Sequence, residues 1–480
     1  MSSCDLLIQN VTIVDGSGAA PFQGAVAVEN GRIVSYGDTT GFTVHEVVDG
    51  EGKVLSPGFI DTHTHDDLYA LASPQMLPKL SQGVTTVIVG NCGISAAPVT
   101  LSGTLPDPMN LLGNPEEFRF KSFAEYADAI NDARTTVNVA ALVGHTALRN
   151  NHLDRLDRTA NAREIDAMRS QLAAALDAGA LGLSTGLAYL SAYDASTEEV
   201  MRLAEPLFEA GGIYTTHMRT EGHAILDAME EAFRIGRHAN SPVLISHLKC
   251  AGLDTWGRSS EVVASLDKER ERSDVSCDCY PYSAGSSTLD LRQVDPRVRI
   301  QITWSEPHPE VAGNDLQEIA DLWGLPLLEA AQRLRPAGAI YHSISEDDMK
   351  VFLAHPATMI GSDGLPRDPR PHPRLWGTFP RVLGRYCREQ ALFPLTTAVH
   401  KMTGLPATRF RLANRGLIRE GYRADLVLFD PDTVADRATF EDPTQPSQGI
   451  LKVWVHGLLS FSEGQATEAR AGRFIRRGLP

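Results

Sequence analysis

Eight short apolar runs, most of them separated by stretches with helical periodicity, constrain this chain of 480 residues more than any other feature. They lie at Val54 to His65, Val84 to Gly93, Val137 to His145, Ala180 to Gly186, Gly212 to His217, Val243 to His247, Val275 to Tyr280 and Thr358 to Asp363. Between them, segments such as Thr197 to Ala210 and Ala162 to Gly179 read as amphipathic helices. In the latter, Ile165, Met168, Leu172 and Leu176 recur at spacings of three and four and so share one helical face. Short continuous apolar runs are what strands covered on both faces look like. Their alternation with helices predicts an α/β chain folded as a (β/α)8 TIM-like barrel. An open doubly wound sheet ranks below it, because no Gly-x-Gly-x-x-Gly turn follows the first strand.

The two ends read differently. Asp5 to Asp49 alternates apolar and polar residues between turn signals, and Asn30-Gly31 marks a hairpin, so a small antiparallel sheet is expected there. Gly416 to Ile418, Ala424 to Asp430 and Ile450 to Gly457 repeat the style. A small β-sandwich domain built from both termini, residues 1–56 and 413–480, is therefore expected around a barrel at 57–412. Inside the barrel the interval of about 283–344 is too long for one crossover, is rich in Arg and Pro, and contains a candidate helix from Asp315 to Leu334. It reads as an inserted lid over the barrel mouth.

A net charge of -16 argues against a nucleic-acid or anionic-membrane partner. No uninterrupted apolar run approaches membrane-spanning length, and Met1-Ser2-Ser3-Cys4-Asp5 lacks the basic and apolar regions of a signal peptide. A cytoplasmic protein acting on a small molecule is expected, with a homo-oligomer left open. The six cysteines, Cys4, Cys92, Cys250, Cys277, Cys279 and Cys387, are too few for a disulfide framework and should mostly be packed thiols.

Barrel chemistry sits at the C-terminal ends of the strands, so what terminates each run is informative. The endings are His63-Thr64-His65, Asn91-Cys92-Gly93, Gly144-His145, Ser184-Thr185-Gly186, Thr216-His217-Met218-Arg219, Ser246-His247-Leu248-Lys249, Asp278-Cys279-Tyr280-Pro281-Tyr282 and Ser362-Asp363-Gly364. On an extended strand residues i and i+2 face the same way, so His63 and His65 can offer two imidazoles to one side. Singly, each residue has a plain explanation: His217 as a satisfied core histidine, Cys92 as a small buried apolar group, Asp363 as a turn residue before Gly364. His145 stays undecided between hydrogen-bonding a substrate and finishing its strand. Jointly, His63, His65, Cys92, His217, His247 and Asp363 on one rim predict a metal site.

Several of these motifs together resemble the amidohydrolase superfamily and, within it, the N-acyl-D-amino-acid deacylases, or D-aminoacylases. They are Gly58-Phe59-Ile60-Asp61-Thr62-His63-Thr64-His65-Asp66-Asp67, Gly83-Val84-Thr85-Thr86 leading to Gly90-Asn91-Cys92-Gly93, Gly182-Leu183-Ser184-Thr185-Gly186-Leu187, Thr216-His217-Met218-Arg219, His247-Leu248-Lys249, Tyr280-Pro281-Tyr282 and Ser362-Asp363-Gly364. In most of the superfamily a carboxylated lysine bridges the metals; in this subfamily a strand-two cysteine takes that place, and Cys92 matches it. The resemblance implies Zn2+ held by Cys92, His217 and His247, with His63 and His65 beside Asp363 offering a weaker second position. Three protein ligands with room for water is the catalytic zinc pattern. Asp363 would then serve as base and acid in turn. By the same resemblance, Lys249, Tyr280 or Tyr282, Ser286 and Arg374 bind the substrate's α-carboxylate. Lys249 also follows His247 by two residues and so faces the same side if the strand continues.

The lid carries Leu291-Arg292-Gln293-Val294-Asp295-Pro296-Arg297-Val298-Arg299 where a deacylase for hydrophobic substrates should be apolar. An arginine fork there can hold a second carboxylate, with Arg292 the first candidate and Arg297 next. N-acyl-D-glutamate is thus the favoured substrate, ahead of N-acyl-D-aspartate, against the alternative that these arginines face solvent. Deacylation of hydrophobic N-acyl-D-amino acids is the other outcome. A dihydropyrimidinase-like cyclic amidase predicts a bridging lysine or no strand-two cysteine, and a non-catalytic scaffold predicts missing ligands.

Overall fold

Alternating burial makes the first segment a sheet: Cys4, Leu6 and Ile8 are buried while Asp5 and Gln9 are exposed. The computed structural model describes residues 2–39, 41–101 and 103–479, so Met1, Thr40 and Pro480 of the expected outer domain lie outside the described residues. Strand β1 (Ser2–Ile13) pairs antiparallel with β2 (Phe22–Glu29), which returns as β3 (Arg32–Gly37) through Asn30-Gly31. Both turn residues have positive φ, 51 and 71°, as a tight hairpin requires. β4 (Phe42–Asp49) and β5 (Val54–Pro57) then lie along different halves of β1, and both pair with it in parallel. The antiparallel sheet expected from alternation is corrected here. Alternation identifies a strand but not its direction, and β4 crosses to the edge of β1 instead of turning back on β3.

The first expected run, Val54 to His65, divides at Gly58. β5 belongs to the terminal sheet, and β6 (Phe59–Asp61) starts the barrel. A Cβ at Gly58 would sit 2.2 Å from the Thr85 side chain, so only glycine permits this close approach. There follow β7 (Val84–Val89), β8 (Asn138–Ala141), β9 (Val143–Gly144), β10 (Gly182–Gly186), β11 (Ile213–His217), β12 (Val243–Ile245) and β13 (Val275–Cys279). The excursion after β13 forms β14 (Gly285–Thr288), β15 (Ile300–Ser305) and β16 (Ala337–Tyr341), an antiparallel sheet. It has its own apolar cluster, including Ile300, Ile302, Leu316, Ile319 and Leu334. The single helix expected over Asp315 to Leu334 is two, Leu316–Trp323 and Leu327–Leu334, because Gly324 ends the first in a left-handed conformation and Pro326 precedes the second.

β17 (Thr358–Ile360) pairs in parallel with β13. Its end meets that of β6, where the His65 amide donates to the Gly364 carbonyl at 3.0 Å and Thr64 bridges Gly364. The parallel groups β6-β7-β8 and β9-β10-β11-β12-β13-β17 are thus joined through β6 and β17, giving an α/β fold of TIM-barrel type. One side chain from each of most strands, among them Ile60, Ile88, Ala140, Ile213, Leu244 and Met359, fills a single buried cluster below the rim.

β18 (Leu426–Phe429), β19 (Ile450–Val455), β20 (Leu458–Ser462) and β21 (Gln465–Ala466) complete the terminal sheet by pairing β18 with β5, so strands from both ends share one nine-stranded sheet. The tail then returns to the barrel, where the Ile475 amide donates to the Val139 carbonyl at 2.7 Å. No helix among the described residues is long and apolar enough to cross a membrane. All six cysteines are free thiols, and all but Cys387 are buried.

Candidate metal centre

The barrel rim gathers its polar groups by bending the chain just past the strand ends. Cys92, His247 and Asp363 each follow a strand by two or three residues, and all three have positive φ, 53, 38 and 50°. Such backbone costs an L-residue on the order of 1–3 kcal/mol and persists only where the surroundings impose it. Here it brings side chains from separate strands together over the barrel mouth.

His63 Nε2 lies 3.1 Å from Cys92 Sγ, and His247 Nε2 lies 3.4 Å from the same sulfur. His217 Nδ1 is 3.0 Å from His247 Nε2. Asp363 Oδ1 is 3.2 Å from His65 Nε2 and 3.5 Å from His63 Nε2. Donor atoms of His63, Cys92, His247 and Asp363 fall within 4.8 Å of one another, as do those of His217, Glu221 and His247. All six rim residues expected from the sequence therefore meet at one place.

The electrostatics show which charge this place favours. Burial alone would raise the Cys92 thiol, yet the His63 and His247 rings hold it well below its usual range. Burial would lower His63, yet Cys92, Asp278 and Asp363 raise it well above the imidazole range, and His65 is carried to about 9 against the same burial by Asp363 and Cys92. Asp363 is held far below the carboxylate range, against burial, chiefly by Arg374. A thiolate and a carboxylate buried together favour positive charge beside them, and a divalent cation would supply it. Thiolate and imidazole donors with a carboxylate alongside suit zinc. The ring orientations fit as well: His63 Nδ1 faces Asp278 at 3.3 Å and His247 Nδ1 faces Glu221 at 2.8 Å, which leaves both Nε2 atoms toward the sulfur.

Lys249, Tyr280, Ser286 and Arg374 line the cleft beside these donors. Arg374 NH2 is 2.9 Å from Asp363 Oδ2, and its guanidinium lies 4.6 Å from the Tyr280 ring centroid. Among the described residues, the Tyr280 hydroxyl, Ser286 Oγ and Arg374 Nε and NH1 are buried without hydrogen-bond partners.

Other expected residues lie elsewhere. Of the tyrosine pair, Tyr282 packs away from the cleft, edge-on to His372 at 5.1 Å. Arg292 lines an adjoining recess with Tyr193 and Gln293; its NH2 takes Asp290 Oδ2 at 2.6 Å and the Ala188 carbonyl at 2.7 Å. Arg297 is exposed and closes on Asp295 and Asp254 at 2.6 and 2.9 Å. Each arginine follows an aspartate by two residues, and a guanidinium so placed takes the local carboxylate first. His145 is wholly buried, its Nε2 3.0 Å from Glu199, outside the cleft. Sequence reading missed Glu221 and Asp278, whose carboxylates face the rings of His247 and His63; Asp278 stands in the ending of the seventh run, and Glu221 lies four residues past His217.

Comparison with known proteins agrees with this geometry. The family model described as "Amidohydrolase family" matches residues 46–272 and 310–461. A D-aminoacylase of Alcaligenes xylosoxydans xylosoxydans is 49% identical over 98% of this chain and 98% of its own length. An N-acyl-D-aspartate deacylase of the same organism is 47% identical over 99% of this chain and 96% of its own. The crystal structure of an N-acyl-D-glutamate deacylase from Bordetella bronchiseptica, complexed with zinc and a phosphonate inhibitor, superposes with a TM-score of 0.96 at 44% identity, covering 99% of this chain and 100% of that one. With a match over most of its length and relatives this similar end to end, the chain belongs to the amidohydrolase family, alongside the D-aminoacylases.

Proposed function

We propose that this amidohydrolase of linear amides cleaves N-acyl-D-amino acids to a carboxylic acid and a free D-amino acid. The observation that carries the reading is a donor set of a thiol and imidazoles with one carboxylate beside it, facing a buried cationic wall on which the Tyr280 hydroxyl, Ser286 Oγ and two Arg374 nitrogens have no partners among the described residues. Cys92, His217 and His247 would hold Zn2+, and His63 and His65 with Asp363 offer a weaker second position. When bound, zinc supplies Lewis acidity to the acyl carbonyl and to water. Asp363 takes the proton of the attacking water and delivers it to the departing nitrogen. Arg374 keeps that carboxylate anionic through Oδ2, leaving Oδ1 toward the donors. Lys249, Tyr280, Ser286 and Arg374 receive the α-carboxylate. The D configuration follows from likeness to the D-aminoacylase and the N-acyl-D-aspartate deacylase. The barrel at 57–412, its lid at about 283–344 and an outer β domain from 1–56 and 413–480 remain the proposed division.

For the side chain, N-acyl-D-glutamate now rests on Arg292, since Arg297 is bound elsewhere. One observation favours neutral side chains instead: Asp290 already occupies the Arg292 fork, so an incoming carboxylate must compete with it. Turnover of racemic N-acetylglutamate against racemic N-acetylleucine, with chiral analysis of the products, tests all of this. A preference for leucine ends the acidic reading, release of the L-product ends the stereochemical one, and no turnover of either substrate or of N-acetylaspartate ends the deacylase reading.

A further inference from the structure

Glu221 occupies the loop after β11 with its side chain 10% exposed, at the border between the metal donors and the cleft wall. A single oxygen, Oε1, lies 2.8 Å from His247 Nδ1 and 2.6 Å from Lys249 Nζ. Lys249 Nζ is itself only 3.0 Å from His247 Nδ1. That ring nitrogen cannot accept from the ammonium while it donates to Glu221, so the carboxylate is what allows an ammonium and an imidazole N–H to stand side by side. Glu221 also approaches His247 from the Nδ1 side, whereas Nε2 points to Cys92, so the carboxylate is placed behind the ring and not among the donors around the sulfur.

We propose that Glu221 is a positioning residue that couples metal retention to substrate binding: it fixes the His247 ring with Nε2 toward the metal and sets how much of the Lys249 charge a substrate carboxylate meets. The second half rests on the deacylase reading; the first does not. A carboxylate behind a ligating histidine raises ligand basicity, and its loss typically costs about 10–100-fold in metal affinity or activity. Lys249, relieved of its counter-charge, would attract the α-carboxylate more strongly.

The two halves separate by experiment on the zinc-loaded full chain. Glu221→Gln keeps the volume and an acceptor but removes the charge. Zinc release to a chelator should quicken by about 10-fold or more and kcat should fall comparably, while KM on an N-acyl-D-amino acid holds or falls. A residue needed only for folding would lower Tm without changing zinc release or the kcat to KM relation. Lys249→Gln leaves Glu221 on His247 and should release zinc at the wild-type rate with a raised KM. Wild-type zinc release by Glu221→Gln, or fast release by Lys249→Gln, overturns the proposal; if Glu221→Gln does not fold, Glu221→Asp, whose shorter side chain withdraws the carboxylate from His247 Nδ1, replaces it with the same expected quickening. Should the unaltered chain hydrolyse no N-acyl-D-amino acid, the deacylase reading fails, yet the zinc-release comparison still judges Glu221.

Discussion

Beneath the rim and along its side, the cleft treats buried polar groups in opposite ways. Below, Lys79 is wholly buried on the short helix Leu77–Leu80, and its ammonium donates at 2.8 Å to each of Asp61 Oδ2, Thr64 Oγ1 and Ser362 Oγ. The ammonium has as many protons as acceptors here, and Asp66 adds a further carboxylate at 3.3 Å. Asp61 and Thr64 flank His63, and Ser362 precedes Asp363, so this floor ties the histidine pair of the first strand to the aspartate of the last. Along the side, the Tyr280 hydroxyl, Ser286 Oγ and two Arg374 nitrogens are equally buried but unpartnered among the described residues. A buried unsatisfied group costs about 1–3 kcal/mol, which a ligand's own polar atoms can recover. The floor therefore fixes geometry, and the wall is built to meet something else.

Asp363 belongs to both regions, with Oδ1 toward the histidines and Oδ2 on Arg374, so its alteration should have the largest effect. Asp363→Asn should retain zinc by elemental analysis while turnover falls by about 10²–10⁴-fold. Near-normal turnover would remove Asp363 from proton transfer and leave the floor and wall without a shared chemical purpose.

Next is the floor itself. Lys79→Met strands two carboxylates without their cation and should lower unfolding free energy by about 3–5 kcal/mol in denaturant titration. Adding Asp61→Asn to Lys79→Met should recover part of the loss. If Lys79→Met costs less than about 1 kcal/mol, the network is not what holds the two strand ends together.

The wall side has a pH signature. Asp368, in the loop from Asp363 to Arg374, is buried, and burial carries its carboxyl from 3.8 to about 7 against the Arg370 amide at 2.9 Å. A folded-state pKa above the unfolded one favours the folded protein below pH 3.8, and that contribution is lost as pH rises through about 7. Asp368→Asn should accordingly stabilise the protein at neutral pH by on the order of 2 kcal/mol and have little effect in acid. A stabilisation independent of pH would show that the carboxyl is not held neutral by its surroundings.

Legibility in the sequence follows the same division. Parallel strands covered on both faces are apolar runs, so the barrel strands were visible in Val84 to Gly93 or Val243 to His247. Because such strands present their chemistry at one end, the rim residues His63, Cys92, His217, His247 and Asp363 were visible with them. Strand direction was not: β4 alternates as a hairpin strand would, yet runs parallel to β1. Contacts between the ends of neighbouring strands were not legible either, since Lys79 reaches Ser362 across 283 residues and Glu221 reaches Lys249 across 28. The local partners of the lid arginines were not read from the sequence either: each of Arg292 and Arg297 takes the aspartate two residues before it.

The smallest expected effect is also the one that separates the two regions most cleanly. Burial raises the Tyr280 phenol to about 12 despite the nearby Lys249 and Arg374, so it remains a hydrogen-bond donor throughout the neutral range. Tyr280→Phe deletes only that hydroxyl and keeps the ring over which the Arg374 and Lys249 cations lie at 4.6 and 5.8 Å. In a satisfied network such as the floor, this deletion would destabilise. In the wall it removes a donor with no partner, so unfolding free energy should hold or rise by about 1 kcal/mol. The same hydroxyl lost to a bound carboxylate should raise KM by roughly 3–10-fold, the net worth of one ordinary hydrogen bond, with kcat changed far less. Loss of stability with KM unchanged would mean that Tyr280 is part of the protein's own bonding, and that the wall differs from the floor in position only.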